Sequence, residues 1–201
     1  MRDGHQSASQ IDTEQVEKLY RELLFALGQD PDREGLLDTP RRVAAWWNEF
    51  LSQEPSGVET SFTESHVNDQ LVVVHGIGVW SLCEHHLLPF RLDMAIGYIP
   101  GTQVLGLSKF ARIARRNAQQ LQLQERLTRD VLRDIVAAVG TEDVAVAARG
   151  EHLCMSMRGV RMESAVTTTV AMSGRIETDA VLSGRFLAIA QSGGSARAGA
   201  R

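Results

Sequence analysis

Cysteine occurs at only two positions, and each has histidine beside it: Cys83-Glu84-His85-His86 and His152-Leu153-Cys154. If both thiols bind one ion, the fold must bring two distant stretches of chain to a single point, and few topologies do so. Cys83 and His86 stand three apart. Side chains three apart meet on one face of a helical turn but point to opposite faces of a strand. If both bind one metal, the chain must curl at Cys83, and His85 then faces elsewhere. The second cluster reads differently. His152, Cys154, Ser156 and Arg158 share parity, so on a strand all four would line one face.

Three readings of the thiols stand side by side. They are unrelated buried thiols, which is the ordinary state of a free cysteine; or they form a disulfide; or they ligate a metal. The chain opens without an apolar signal segment, so a reducing, cytoplasmic setting is expected, which disfavours the disulfide. Thiolate and imidazole suit zinc, at about 2.3 Å from sulfur and about 2.0–2.1 Å from nitrogen. Cys83, His86 and Cys154 would supply three ligands and leave the fourth tetrahedral position open, the pattern of a catalytic rather than a structural zinc. His85 and His152 then remain as imidazoles able to move protons near neutral pH.

Bulk properties exclude some functions. A net charge of −4 and a pI near 5.9 argue against nucleic-acid binding, which calls for a basic excess. No apolar run approaches the ~18–20 residues of a membrane span. Hydrophobic residues make up 43% of the chain, enough for a core, and the length suits one domain with an extension.

Along the chain, residues 1–11 and 191–201 are polar or small and are expected to be disordered. Val16, Leu19, Tyr20, Leu23, Leu24 and Leu27 predict a first helix, with Asp12 as its cap and Gly28 as its stop. Thr39-Pro40 starts a second helix, so residues 12–69 form a helical extension closed by a polar connection from 52. In the remaining 70–190, Leu71–His75 and Leu92–Ile99 read as strands and Val104–Leu107 as a short extended piece. Ser108 is placed as the cap of a long helical region whose two apolar stripes fall out of phase around Leu121-Gln122-Leu123, so two helices are predicted with a break there. Val144–Ala148 is a strand running through Gly150 into the second Cys/His cluster, Val166–Val170 its hairpin partner, and Thr178–Ala190 a last helix. Strands and helices in separate runs argue an α+β domain with an antiparallel sheet.

Five stretches in this order carry a family resemblance: Asp30–Ala44, Ser81–His86, Gly106–Lys109, Gln122–Thr128 and Glu151–Val160. Together they resemble the GTP cyclohydrolase I family, and the resemblance extends from residue 12 to about residue 190. It implies the tunnelling fold (ββααββ) assembled as a homodecamer with sites between subunits, and no nucleic-acid or membrane partner. It implies zinc on Cys83, His86 and Cys154, and hydrolytic opening of the GTP purine ring at C8 with release of formate and formation of 7,8-dihydroneopterin triphosphate. His85 and His152 match the family's proton-transferring residues. Gln124 and Glu125 match the residues that bind guanine. Ser108, Lys109, Arg112 and Arg158 match those that hold the triphosphate, and Arg42 matches an arginine reaching in from a neighbouring subunit. Independently of the family, a helix N-terminus followed by Lys and Arg suits phosphate, and a carboxylate suits guanine's N–H edge. Two rivals share these features: an enzyme of the same fold acting on another purine or pterin, and a non-catalytic zinc module.

Overall fold

The computed structural model describes residues 11–52, 61–63, 69–101 and 103–192. The expected disorder at residues 1–10 and 193–201 lies outside them, while Gln191 and Ser192 belong to the last helix. The described residues fall into two compact units, within Met1–Glu54 and Pro55–Arg201.

In the first unit the apolar stripe beginning at Val16 forms α1 (Thr13–Ala26). The Asp12 carboxylate accepts the Gln15 N–H at 2.9 Å, satisfying one of the backbone donors that a helix start leaves open. Gly28 ends the turn at φ +73°, a conformation that costs glycine little. The second helix, α2 (Thr39–Leu51), has Asp38 at its N-cap, one residue before the predicted start, with Pro40 in the first turn. Trp47 donates to the Tyr20 hydroxyl at 2.8 Å, tying α1 to α2.

The second unit is built on a five-stranded sheet, β5 (Leu121–Gln122), β2 (Val72–Cys83), β3 (Pro89–Tyr98), β6 (Val144–His152) and β7 (Thr167–Met172), in that order across the sheet. Strand β2 runs well past the predicted His75. Gly76 stands at φ +74° where the register with β3 shifts between Val74 and Ile77, and this bulge breaks the alternation from which a strand is read. A short pair, β1 (Ser61–Thr63) with β4 (Gln103–Leu105), lies outside this sheet; β1 falls in what reads as a polar connection.

Helices cover both faces. On one, Leu92, Met94, Ile96 and Tyr98 of β3 and Val144, Val146 and Ala148 of β6 meet α3 (Leu107–Ala118) and α4 (Gln124–Val139) through Phe110, Ile113, Leu127, Val131 and Ile135. Each such fully buried aliphatic side chain contributes roughly 1.5–3 kcal/mol. On the other face β3 and β6 present Ala95, Gly97, Ala145 and Ala147, and α7 (Ala180–Ser192) lies close, with Phe186 buried among them. A Cβ on Gly97 would stand 2.7 Å from the Phe186 ring, so this approach requires glycine. The predicted helix break is present: α3 stops at Ala118, β5 intervenes, and α4 begins at Gln124. Two short helices, α5 (Leu153–Ser156) and α6 (Gly174–Thr178), complete the unit. Among the described residues no helix is long and apolar enough to cross a membrane.

Two local expectations are corrected. The first residue of α3 is Leu107 and its cap is Gly106, so Ser108 sits inside the first turn and does not cap it. The His152 strand stops at His152 itself, and Cys154 rides on the helical turn α5. The side chains of 152, 154, 156 and 158 therefore do not alternate along one strand face; the Ser156 hydroxyl instead donates back to the His152 carbonyl at 3.3 Å.

Candidate metal centre and active site

The sheet brings the two cysteine clusters to one end. Strands β2 and β6 flank β3, and Phe90 near the start of β3 pairs with His152 at the end of β6. Leaving β2, the chain curls as the spacing of Cys83 and His86 predicts. Both the His86 and Leu87 N–H groups turn back to the Cys83 carbonyl, and the Cys83 N–H donates to Leu88 at 2.9 Å. Leu87 takes φ +54° to close the turn. Strand β5 lies parallel to the end of β2, with Cys83 opposite Gln122, and runs straight into α4. The turn carrying Cys83 and His86 and the pair Gln124-Glu125 are thus set by one stretch of backbone.

The potential ligand atoms of Cys83, His86 and Cys154 all lie within 4.8 Å of one another, and among the described residues the group closes at these three. The Cys83 Sγ to His86 Nδ1 distance is 3.8 Å. Both cysteines are free thiols. Burial pushes the Cys154 thiol up, the Cys83 sulfur pushes it further, and Arg158 opposes the rise. Two sulfurs this close resist ionising together unless a cation lies between them. The donor set, the spacing and the mutual repulsion all fit a soft divalent metal such as zinc.

His152 stands beside this group. Its ring stacks on buried Phe90 with centroids 4.6 Å apart and planes 11° from parallel, and its Nε2 lies 2.7 Å from Gln124 Oε1. Burial lowers its pKa, and the Glu125 carboxylate partly offsets the fall. His85 is exposed and its ring meets His86 edge-on at 6.1 Å. Glu125 is exposed at the start of α4, while Gln124 is buried. Ser108, Lys109 and Arg112 share the first turns of α3, with Ser108 and Arg112 exposed and Lys109 buried. Arg158 lies beyond α5, near enough to act on Cys154. Arg42 belongs to the other compact unit, where it pairs with Asp38 at 3.1 Å.

Some participants carry no role in the sequence reading. Arg126 pairs with Glu84, between two of the clustered residues, and donates to Gln122 Oε1 at 2.8 Å. This fastens the turn carrying Cys83 and His86 to α4. Its position next to Gln124-Glu125 was the available signal, but an arginine on a helix start ordinarily reads as a solvated charge. Phe90, Thr169 and Gly150 are legible as neighbours of His152 or Gln124 only once the strand register is known.

Comparison with known proteins adds an independent line. A sequence profile of GTP cyclohydrolase I matches residues 16–191. The chain is 46% identical over 184 residues to GTP cyclohydrolase 1 of Corynebacterium glutamicum (strain R), covering 89% of this chain and 93% of that protein. It is 43% identical over 198 residues to GTP cyclohydrolase 1 of Corynebacterium aurimucosum, covering 96% and 100% respectively. It is 47% identical over 176 residues to GTP cyclohydrolase 1 of Mycobacterium ulcerans, covering 85% and 86%. Among solved structures, an archaeosine synthase QueF-Like protein in its apo form aligns over 52% of this chain and 93% of its own, with a TM-score of 0.42 and 23% identity, a likeness too distant to carry an argument.

Proposed function

The chain belongs to the GTP cyclohydrolase I family, and from that premise we infer that it opens the purine ring of GTP at C8 by hydrolysis. The products are formate and 7,8-dihydroneopterin triphosphate, at the entry to pterin and folate synthesis. The observation that carries the reading is the closure of Cys83, His86 and Cys154 into one group, joined to a family match spanning most of the chain.

Zinc is the metal proposed for that group. When bound, it supplies a Lewis acid that lowers the pKa of water to about 7. The rest falls to this chain's own residues. Glu125 accepts from the ring N–H and amino group of guanine, with Gln124 beside it closing that end of the pocket. Ser108, Lys109, Arg112 and Arg158 hold the triphosphate, the arginines through their planar forks. Arg42 adds to them from a neighbouring subunit. Half-buried beside the ligand group, with burial lowering its pKa, His152 takes up the proton released by the attacking water and passes it to the purine nitrogen as the ring opens. His85 carries protons in the later rearrangement and closure.

The fold proposed is the tunnelling fold, with residues 12–69 as a helical extension and 70–190 as the catalytic domain. Assembly as a homodecamer in the cytoplasm is part of the same reading. Among the described residues, β7 forms one outer edge of the sheet, and most of β2 is open on the other because β5 pairs only with its last two residues. Such edges call for a partner.

The test is formate release from GTP by purified protein, with and without a chelator. Formate from GTP that stops on chelation and returns with zinc supports the reading. Turnover of another purine in preference to GTP would hand it to the rival of the same fold, and metal binding without any turnover to the non-catalytic module.

A further inference from the structure

The resemblance assigns Gln124 to the guanine, but its side chain is 2% exposed and both ends of its amide are committed inside the protein. The nitrogen lies 3.0 Å from the Ala148 carbonyl, 3.1 Å from the Thr167 carbonyl and 3.2 Å from Thr169 Oγ1. Backbone carbonyls only accept, so the amide N–H groups must face them. Turned over, the amide would set its oxygen against two carbonyl oxygens and leave a buried donor unmatched, at a cost of about 1–3 kcal/mol.

The hydroxyls nearby agree. Thr128 donates its one hydrogen to the Gln124 backbone carbonyl at 2.8 Å. The 2.6 Å contact between Thr128 and Thr169 must then use the hydrogen of Thr169, which leaves Thr169 Oγ1 free to accept from Gln124. The amide oxygen therefore points at His152 Nε2, 2.7 Å away. It has no hydrogen to give, so the ring nitrogen must supply one.

We propose that Gln124 is a positioning residue: it fixes His152 in the tautomer with hydrogen on Nε2, leaving Nδ1 as the nitrogen able to accept. The stack on Phe90 sets the ring plane, and the Gln124 oxygen sets the rotation within it. Gly150 makes room for this arrangement, since a Cβ there would come within 2.6 Å of Gln124 Oε1 and 2.3 Å of Leu92 Cδ2. The inference rests on the reading of His152 as a proton carrier, and it moves Gln124 from touching substrate to acting through that ring.

The test is solid-state 15N spectroscopy of the zinc-loaded protein labelled on histidine, with the His152 signal assigned by its loss in His152→Gln. At about pH 8.5, well above the ordinary imidazole pKa of ~6.5, His152 is expected to carry hydrogen on Nε2 alone. Hydrogen on Nδ1, as the other tautomer or as imidazolium, overturns the proposal. In parallel, Gln124→Met keeps the volume and removes the amide. It is expected to lower kcat at least about tenfold while KM for GTP stays within about twofold. A raised KM with kcat kept would return Gln124 to the substrate, and no change in either would leave it without a role; both overturn the proposal. If that variant fails to fold, the wild-type spectrum decides alone. Full formate release by His152→Ala would sink the proton-carrier reading and leave the tautomer result standing.

Discussion

At the scale of single residues, the proposed metal centre depends on three side chains delivered by three different backbone devices: a strand end, a four-residue curl and a short helical turn. Removing one should abolish the site rather than weaken it, because two ligands do not hold zinc against solvent. Cys154→Ala is expected to reduce bound zinc from one ion per chain to near none, measured by elemental analysis after dialysis, with little change in the far-ultraviolet circular dichroism. Retention of one zinc per chain would remove Cys154 from the ligand set. Gly150→Ala tests the close approach around Gln124. Leu92 belongs to the packed core and cannot retreat freely, so the added methyl is expected to destabilise the protein by about 1–3 kcal/mol, read from urea unfolding. At this scale the grouping of Cys83, His86 and Cys154 was legible because residue type and spacing point to it, through Cys-x-x-His in one stretch and His-x-Cys in the other. Gln124 was legible as a candidate site residue, but the partners of its amide were not. Only the register of β6 and β7 shows that the Ala148 and Thr167 carbonyls claim its nitrogen.

At the scale of elements, the site depends on α3 and α4 holding their places against the sheet, and Asp134 is the fastening between them. It accepts from Arg116 and from Asn117, each at 2.9 Å, joining the last turns of α3 to the middle of α4. Burial pushes the Asp134 carboxyl up, but the Asn117 amide and the Arg116 guanidinium outweigh it and hold the pKa below the ordinary value. A carboxyl depressed in the folded state adds stability above its unfolded pKa of ~3.9, and that stability is lost as pH falls through the lower folded value. Asp134→Asn is therefore expected to cost about 1–3 kcal/mol at neutral pH, with the gap to wild type shrinking below about pH 4. A gap independent of pH would assign the loss to packing. The helices and their break were readable from the apolar stripes, since α3 and α4 bury one face each. The strand parity beyond His152 misled, because alternation persists in a sequence after hydrogen bonding has passed from strand to helical turn. Likewise Ser108 resembles a cap by type, but the backbone enters α3 at Leu107 and Gly106 takes that place.

At the scale of the whole molecule, an α+β domain with antiparallel pairing of β2, β3, β6 and β7 was legible from the order of apolar runs, whereas the placing of helices on both faces, the parallel β5, β1 and the full length of β2 were not. A three-residue strand has too few positions to show a period, and the Gly76 bulge divides β2 into two short readings. The open edges of β2 and β7 lead to the expectation of a homo-oligomer. Light scattering coupled to gel filtration should give a mass many times the 22.1 kDa of one chain, and a monomer that turns over GTP would exclude sites shared between subunits. The proposed hydrolysis needs one zinc ion at a three-ligand centre. The most direct measurement is a titration of metal-free protein with zinc, following bound metal and formate release from GTP in the same samples. Formate release should rise in proportion to bound zinc and level off at one ion per chain; steady release from metal-free protein, or one zinc bound per chain with no formate, would contradict it.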